Sequence, residues 1–232
     1  MVFITAEIGV NWDGDLDLAE QMMNEAKKAN CDAVKFQAFN ENIVKDHPEK
    51  ERLLKTAISK DNIEDIHLLA RKIGIEWYCT PMYPEAIDFL DPYVNRFKIR
   101  YHDSLDLHQN KTNKIISKIL KCDKEIIISS QKSPKELEIY DNPNIKWLYV
   151  VPKYPCRLED LDFRNLKDFD GYSNHCTHLL APLTAVILGA KMLEIHMTLN
   201  KEKNFVDNNV SFDSSNLIEL INSIKLTKNI QR

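Results

Sequence analysis

Apolar runs of strand length alternate with stretches of helical periodicity from one end of the chain to the other. Residues 3–9 (FITAEIG) form a short β-branched run, and after the polar turn NWDGD the stretch 16–29 carries helical spacing. The unit then repeats. Strands are expected at 32–38 (DAVKFQA), 75–80 (IEWYCT), 96–100 (RFKIR), 125–130 (EIIISS) and 145–151 (IKWLYVV). Helices are expected at 61–72, at 84–90, around 105–120, and after Ser133-Pro134, where proline suits a first helical position. A long excursion at 39–60 separates the second strand from its helix, with room for a short helix of its own, and βα excursions of this length tend to be functional. Residues 158–169 are irregular. The last two strands lie within DGYSNHCTHLLAPLTAVILGAKMLEIHMT (170–198), separated by an apolar helix at 179–189, and 214–228 reads as the final helix.

Such alternation makes successive strands parallel, and eight of them close into a ring without leaving an edge. The expected architecture is therefore α/β, a (β/α)8 TIM barrel forming a single domain over residues 1–232, in preference to a doubly wound open sheet. No internal repeat, low-complexity segment or linker interrupts it.

Composition narrows the partners. Hydrophobic residues at 44%, charged residues at 28% and a net charge of -4 describe an ordinary globular chain without the basic excess that holds a nucleic-acid backbone. The start, MVFITAEIG, runs directly into a strand with no charged leader region, and no apolar run reaches membrane-spanning length, so a cytoplasmic protein without a membrane partner is expected. Cys31, Cys79, Cys122, Cys156 and Cys176 have neither CxxC spacing nor a disulfide framework and read as reduced thiols. Cys176 follows His175 but has no base at motif spacing. With 5 glycines there is no phosphate-cradling loop and no dinucleotide fingerprint, which leaves side chains and ordinary amides to build any anion site.

Barrel chemistry sits at the C-terminal ends of the strands. That rim would gather Glu7 and Asn11, Lys35 and Gln37, Thr80, Lys98 and Arg100, Ser129 and Ser130, Tyr154, Ser173 with His175, and His196. Strands of a parallel barrel are almost continuously apolar, so Lys35 inside AVKFQ and Lys98 inside RFKIR are anomalies. Either lysine alone is explained by snorkelling or by a carboxylate partner such as Glu7. Together with the hydroxyls of Ser129, Ser130 and Ser173 they point to a bound phosphate or carboxylate. His175 and His196 end neighbouring strands, and alternation aims Ser173 with His175, and Glu194 with His196 and Thr198. A lone strand-end histidine is more often merely hydrogen-bonded; two on adjacent strands can share one divalent metal. A metal on one side and an anion pocket on the other imply carbon–carbon bond formation on a phosphorylated acid.

The strings AEIGVNWDGD, DAVKFQAF, CTPMYPEAIDFL, FKI, IIISS, KYP at 153–155, GYSNHCT and GAKMLEIHMTL followed by Asp207 run in one order along almost the whole chain. Through them the chain resembles the sialic acid synthase (N-acetylneuraminate synthase) family of phosphoenolpyruvate-condensing barrels. The resemblance implies a transferase joining phosphoenolpyruvate to an aldose, N-acylmannosamine-like or a related aldehyde, to give a 2-keto-3-deoxy sugar acid and phosphate in nonulosonic acid biosynthesis. It implies a divalent metal, Mn²⁺ before Mg²⁺ or Co²⁺, held by His175 and His196, and it admits a homodimer. It places Lys35, Thr80, Lys98, Ser129, Tyr154 and Ser173 around phosphoenolpyruvate, with Lys98 also in a catalytic role. Glu7 becomes an acid at the sugar side, Asp207 a group near the sugar, and Asp103 the carboxylate that handles the attacking water. Outside the resemblance, Gln37 from the rim and Arg100 from the turn after the fourth strand are added to the substrate-binding set.

The departures are specific. Trp12 stands where the family has His; Arg100, Tyr101 and His102 replace a small Gly-Ser-Gly turn; Ser130-Gln131 replaces Thr-Gly; and Pro152-Lys153 lacks a polar phosphate contact. The sequence ends at Arg232, from which the family's antifreeze-like C-terminal domain is expected to be absent. The enlarged turn predicts an acceptor smaller than N-acetylmannosamine or differently charged, with Arg100 meeting an added carboxylate or phosphate. The competing expectation turns Arg100 outward to pair with Asp103 or Asp106. A second class of function is a non-catalytic or regulatory barrel that keeps the rim, and a third is another metal-assisted aldolase or isomerase activity.

Overall fold

A computed structural model describes residues 2–230. Eight parallel strands close in sequence order into a barrel. They are β1 (Phe3–Gly9), β2 (Ala33–Ala38), β3 (Glu76–Pro81), β4 (Arg96–Ile99), β5 (Glu125–Ser130), β6 (Ile145–Val150), β7 (Gly171–Asn174) and β8 (Met192–His196). Around them lie α1 (Leu16–Lys28), α2 (Glu41–Val44), α3 (Lys50–Thr56), α4 (Ile63–Ile73), α5 (Pro84–Leu90), α6 (Tyr101–His108), α7 (Lys114–Ile119), α8 (Leu180–Ile187) and α9 (Ser214–Ile230). The expected (β/α)8 barrel is what forms. No helix among the described residues is long and apolar enough to cross a membrane.

Period-two alternation sorts the side chains into two shells. Ile4, Ala6, Ile8, Val34, Phe36, Trp77, Phe97, Ile126, Ile128, Trp147 and Ile195 belong to one continuous core between strands and helices. Their neighbours on the other face fill the barrel, where Tyr78 donates its hydroxyl to Thr5 Oγ1 at 2.8 Å. At the N-terminal end Arg96 pairs with Glu76 at 2.8 Å and Glu125 at 2.9 Å and lies over the Phe3 ring. The polar residues that remain on the inner face gather at the other end.

Two connections differ from expectation. The helix expected over 105–120 is broken into α6 and α7: Asn110 takes φ +53°, ending the first, and the Asn113 side chain accepts from the amides of Ile115 and Ile116, starting the second. After Ser133-Pro134 there is no helix but a chain of tight turns, with amide-to-carbonyl bonds Leu137 to Pro134, Tyr140 to Leu137 and Asn142 to Ile139. Pro143 disfavours helical backbone at Asn142, and the segment is held from outside, Lys135 on Asp168 at 2.7 Å and the Tyr140 hydroxyl on the Asp168 carbonyl. Residues 158–169 form two 3-10 turns, Leu158–Asp160 and Phe163–Asp168.

The excursion after β2 carries α2 and α3 and folds over the rim, and Trp12 explains how it is held. Its buried indole packs edge-on against Phe36 and donates to the Thr56 carbonyl at 3.0 Å. Arg52 of α3 forms a two-pronged pair with Asp13 at 2.9 and 2.8 Å and also donates to the Asn204 carbonyl. Gly14, at φ +76°, lets α3 lie against the β1–α1 turn, since a Cβ there would stand 2.5 Å from the Lys55 carbonyl oxygen. Trp12 thus serves the wall of the site from below and is absent from the cavity lining.

Candidate active site at the barrel rim

A cavity of about 480 Å³ opens at the C-terminal ends of the strands. It is lined by Glu7, Lys35, Gln37, Thr80, Lys98, Arg100, Ser129, Tyr154, Ser173, His175, His196 and Asp207; of the residues that the sequence placed at the rim or in the site, Asn11, Ser130 and Asp103 lie off it. Asp103 sits in the first turn of α6, almost fully buried, with its carboxylate accepting from Arg100 Nε at 2.7 Å. Ser130, grouped above with the rim hydroxyls, also lies off the cavity, donating to the Lys132 carbonyl and bonded to His108 Nε2 at 2.7 Å.

The floor is a charged lattice. Lys35 Nζ lies 2.8 Å from Glu7 Oε2 and donates to Thr80 Oγ1 at 3.0 Å. Lys98 Nζ donates to Ser129 Oγ at 2.7 Å. Glu194 reaches both lysines, 3.9 Å from Lys35 and 3.7 Å from Lys98, and accepts from Ser173 Oγ at 3.0 Å. Glu7 is held on its other side by Gln37 Nε2 at 2.8 Å. Register explains the convergence: Glu7 sits beside Lys35 on one neighbour and His196 on the other, Gln37 beside Thr80, and Ser173 beside Glu194. Glu194 lines the cavity at the centre of this lattice, although the sequence reading left it out of its candidates. Its signal was its place two residues before His196, together with the countercharge that two strand lysines require.

Burial sets the two lysines apart. For Lys35, burial disfavours the cation, but Glu194 and Glu7 outweigh it and raise its pKa. For Lys98, which lacks the close Glu7 contact, burial prevails over Glu194 and lowers its pKa to about 8, with Lys35 acting in the same direction. An anion bound over Lys98 restores the higher value, so binding at pH 8.5 is expected to take up a proton and affinity to fall as pH rises through 8. Calorimetry of inorganic phosphate at pH 8.5 in two buffers of different ionisation heat measures this; identical apparent enthalpies in both would contradict it.

The imidazoles stand 5.5 Å apart, centroid to centroid, and Tyr154 packs edge-on to both, at 4.9 Å from His175 and 5.7 Å from His196. Their proximity follows from β7 lying hard against β8: a Cβ on Gly171 would come within 2.0 Å of the Met192 carbonyl oxygen. The Tyr154 hydroxyl donates to Asp207 Oδ1 at 2.5 Å, and Asp207 Oδ2 lies 3.6 Å from His196 Nδ1. Asn11 fixes this loop, accepting from the Asp207 amide at 2.9 Å and donating to the Met197 carbonyl at 2.8 Å. Burial, reinforced by His196, lowers the His175 pKa to about 4 and keeps that ring neutral. Burial acts the same way on His196, but Asp207 reverses the balance and raises its pKa.

Among the described residues no group of three or more His, Cys, Asp and Glu side chains forms a ready metal cage. The two imidazoles nevertheless suit a divalent ion with open coordination positions. Nδ1 of His175 lies 3.3 Å from the Val151 carbonyl, which accounts for that nitrogen and leaves the other ring nitrogen as a lone-pair donor. Nδ1 of His196 is buried without a hydrogen-bond partner.

The far wall is of another character. Val10, Phe39, Ile43, Val44, Leu53, Met82 and Val206, drawn from the excursion and the neighbouring loops, make it apolar. Arg100, Tyr101 and His102 close one side. Arg100 therefore does pair with Asp103, yet it stays on the cavity instead of turning outward.

Comparison with known proteins agrees with this layout. Residues 22–231 match the NeuB family. The chain is 32% identical over 244 residues to an uncharacterised protein of Methanocaldococcus jannaschii, covering 97% of this chain and 71% of that protein. It is 30% identical over 259 residues to N-acetylneuraminate-9-phosphate synthase of Homo sapiens, covering 97% of this chain and 70% of the relative. The crystal structure of N-acetylneuraminic acid (sialic acid) synthetase from Leptospira borgpetersenii serovar Hardjo-bovis in complex with citrate superposes with a TM-score of 0.85 at 26% identity, over 99% of this chain and 85% of that one. With the barrel, the rim and the sequence matches in accord, the chain belongs to the NeuB family.

Proposed function

We propose that this protein is a sugar-acid synthase that condenses phosphoenolpyruvate with an aldose to form a 2-keto-3-deoxy sugar acid and phosphate. The observation that carries the reading is a pair of ammonium–hydroxyl couples in the floor of one cavity, Lys35 with Thr80 and Lys98 with Ser129, facing two imidazoles across Glu194. Phosphoenolpyruvate has two anionic groups, and each couple offers one of them a cation and a hydroxyl. The relatives named as N-acetylneuraminate-9-phosphate synthase and sialic acid synthetase support the same reaction class.

In this reading the enol carbon attacks the aldehyde carbon, water adds at the former enol carbon, and phosphate leaves. Lys35, Lys98, Thr80, Ser129 and Ser173 fix the phosphoenolpyruvate so that its reacting carbon faces the histidine side. Glu7, held by Lys35 and Gln37, and Asp207, held by Tyr154 and Asn11, present carboxylate oxygens to the hydroxyls of the acceptor. His175 and His196 would hold a divalent metal, Mn²⁺ before Mg²⁺ or Co²⁺, which supplies Lewis-acid polarisation of the acceptor carbonyl. The apolar wall and the anchored excursion above it keep water from the floor, where the lysine charges act most strongly.

The competing reading, a barrel that binds ligands without turnover, draws on the filled turn of Arg100, Tyr101 and His102. Phosphate release from phosphoenolpyruvate, with Mn²⁺ and a panel of neutral and anionic aldoses, separates the two. Metal-dependent release with at least one aldose is expected. Binding of phosphoenolpyruvate without release across the whole panel would favour the ligand-binding barrel.

A further inference from the structure

We infer that Lys98 and Arg100 together form the seat of the phosphate group of phosphoenolpyruvate, and that Asp103 is a positioning residue that aims the Arg100 guanidinium at it. The inference rests on the reading of the site just given and assigns two residues that reading leaves without a task.

Lys98 and Arg100 are two positions apart, and the extended backbone at Arg100, φ −72° and ψ 161°, continues the alternation of β4, so both project to the cavity. The lysine and arginine side chains that line the cavity are Lys35, Lys98 and Arg100. Lys35 is matched at 2.8 Å by Glu7, whereas the nearest carboxylate oxygen to Lys98 is that of Glu194 at 3.7 Å. Arg100 places Nε–H on Asp103 and one further N–H on the sulfur of Met82, a weak acceptor, and its remaining donors have no protein acceptor among the described residues. Lys98, without a close countercharge, and Arg100, paired through Nε but with outer N–H groups left over, thus lie together at the β4–β5 side, away from the imidazoles on β7 and β8. A dianion needs two such cations, and a carboxylate needs one. Phosphate accordingly falls to Lys98, Ser129 and Arg100, and the carboxylate to Lys35 and Thr80.

Asp103 is buried off the cavity with an oxygen engaged by Arg100 Nε. Off the cavity lining and held by Arg100, it acts through the guanidinium. Holding Nε fixes the plane of the fork, which leaves the outer N–H groups for a two-pronged contact with phosphate.

Inorganic phosphate titrated calorimetrically at pH 7 is the probe, alongside steady-state kinetics with phosphoenolpyruvate. Arg100→Gln is expected to weaken phosphate roughly tenfold to a hundredfold, the range for a lost charge-assisted contact. Asp103→Asn is expected to weaken it about threefold to tenfold and to raise KM for phosphoenolpyruvate while kcat stays near its original value. The double variant should be no weaker than Arg100→Gln alone, because Asp103 has no separate contact to lose. Should Arg100→Gln fail to fold, Arg100→Lys, which retains a cation beside Asp103, takes the same measurements and the same expectation of weaker phosphate. Phosphate binding within twofold of the original in the Arg100 variant overturns the inference. So does an Asp103→Asn protein whose kcat collapses with phosphate affinity intact, which would make Asp103 a proton-transfer group, or an Arg100 variant altered only in KM for an anionic aldose. Because phosphate binding needs no turnover, weakened binding in a chain inactive with every aldose supports the seat while rejecting the synthase reading.

Discussion

Replacing both His175 and His196 by alanine is expected to leave the protein folded and without bound divalent metal. The two rings stand 5.5 Å apart and line the cavity, and each has a ring nitrogen free of protein hydrogen bonds. Loss of outer groups that merely orient a ligand costs on the order of 10- to 100-fold in affinity, and loss of both ligands should exceed that. Elemental analysis after equilibration with Mn²⁺ measures the effect, with the phosphate-release assay as second readout. Equal metal per chain in the original protein and the double variant would sink the assignment. The His175→Ala variant alone should retain weak binding, since Asp207 remains beside His196.

The second large effect is expected from Glu194→Gln, and it is an effect on stability. Glu194 lies buried between Lys35 and Lys98, and its removal leaves two ammonium groups sharing a cavity with only Glu7 as close countercharge. Removing one partner of a buried ionic set costs about 3–5 kcal/mol. For a chain of this size that is a fall in melting temperature of roughly 6–20 °C. The pH dependence has a definite sign. Lys98 titrates at about 8 in the intact protein, and without Glu194 it sheds its proton at lower pH. The unfolded chain then binds more protons than the folded one over a wider range, so the variant regains stability with rising pH and its deficit narrows as pH approaches 8. Melting curves at pH 6 and pH 8.5 test both points; a variant as stable as the original at pH 6 would show that Glu194 is not needed as a countercharge.

Much of this was legible in the chain itself because the signals were strong in physical terms. A lysine inside a parallel strand has few explanations, and two such strands, with histidines ending two others, placed the rim before any coordinates. Strand boundaries fell within a residue or two for the same reason, since β-branched runs bounded by polar turns leave little freedom. What stayed hidden depended on three-dimensional direction. Glu194 alternates with His196 along the chain, but only the closed ring brings it between two lysines from β2 and β4. Asp103 matched a family position, yet the side chain of Arg100 draws its carboxylate away from the cavity. Trp12 was noted only as a departure from a family histidine, and its part as a clamp on α3 needed the fold. The helix expected after Ser133-Pro134 gave way to turns because outside contacts to Asp168 outweigh a favourable start.

The backbone contact at Gly171 has a consequence for how such a barrel diversifies. Where strands touch through a glycine, their separation has no adjustable part: every other residue puts an atom where the Met192 carbonyl already is. The histidine half of the bowl is therefore rigid in an evolutionary sense, open to replacement of its ligands but closed to gradual widening. The opposite half is made of side chains from loops and short helices, Arg100, Tyr101, His102, Ile43 and Met82, whose bulk can change one substitution at a time without moving a strand. New acceptors are reached by recarving that half, where Arg100, Tyr101 and His102 already stand.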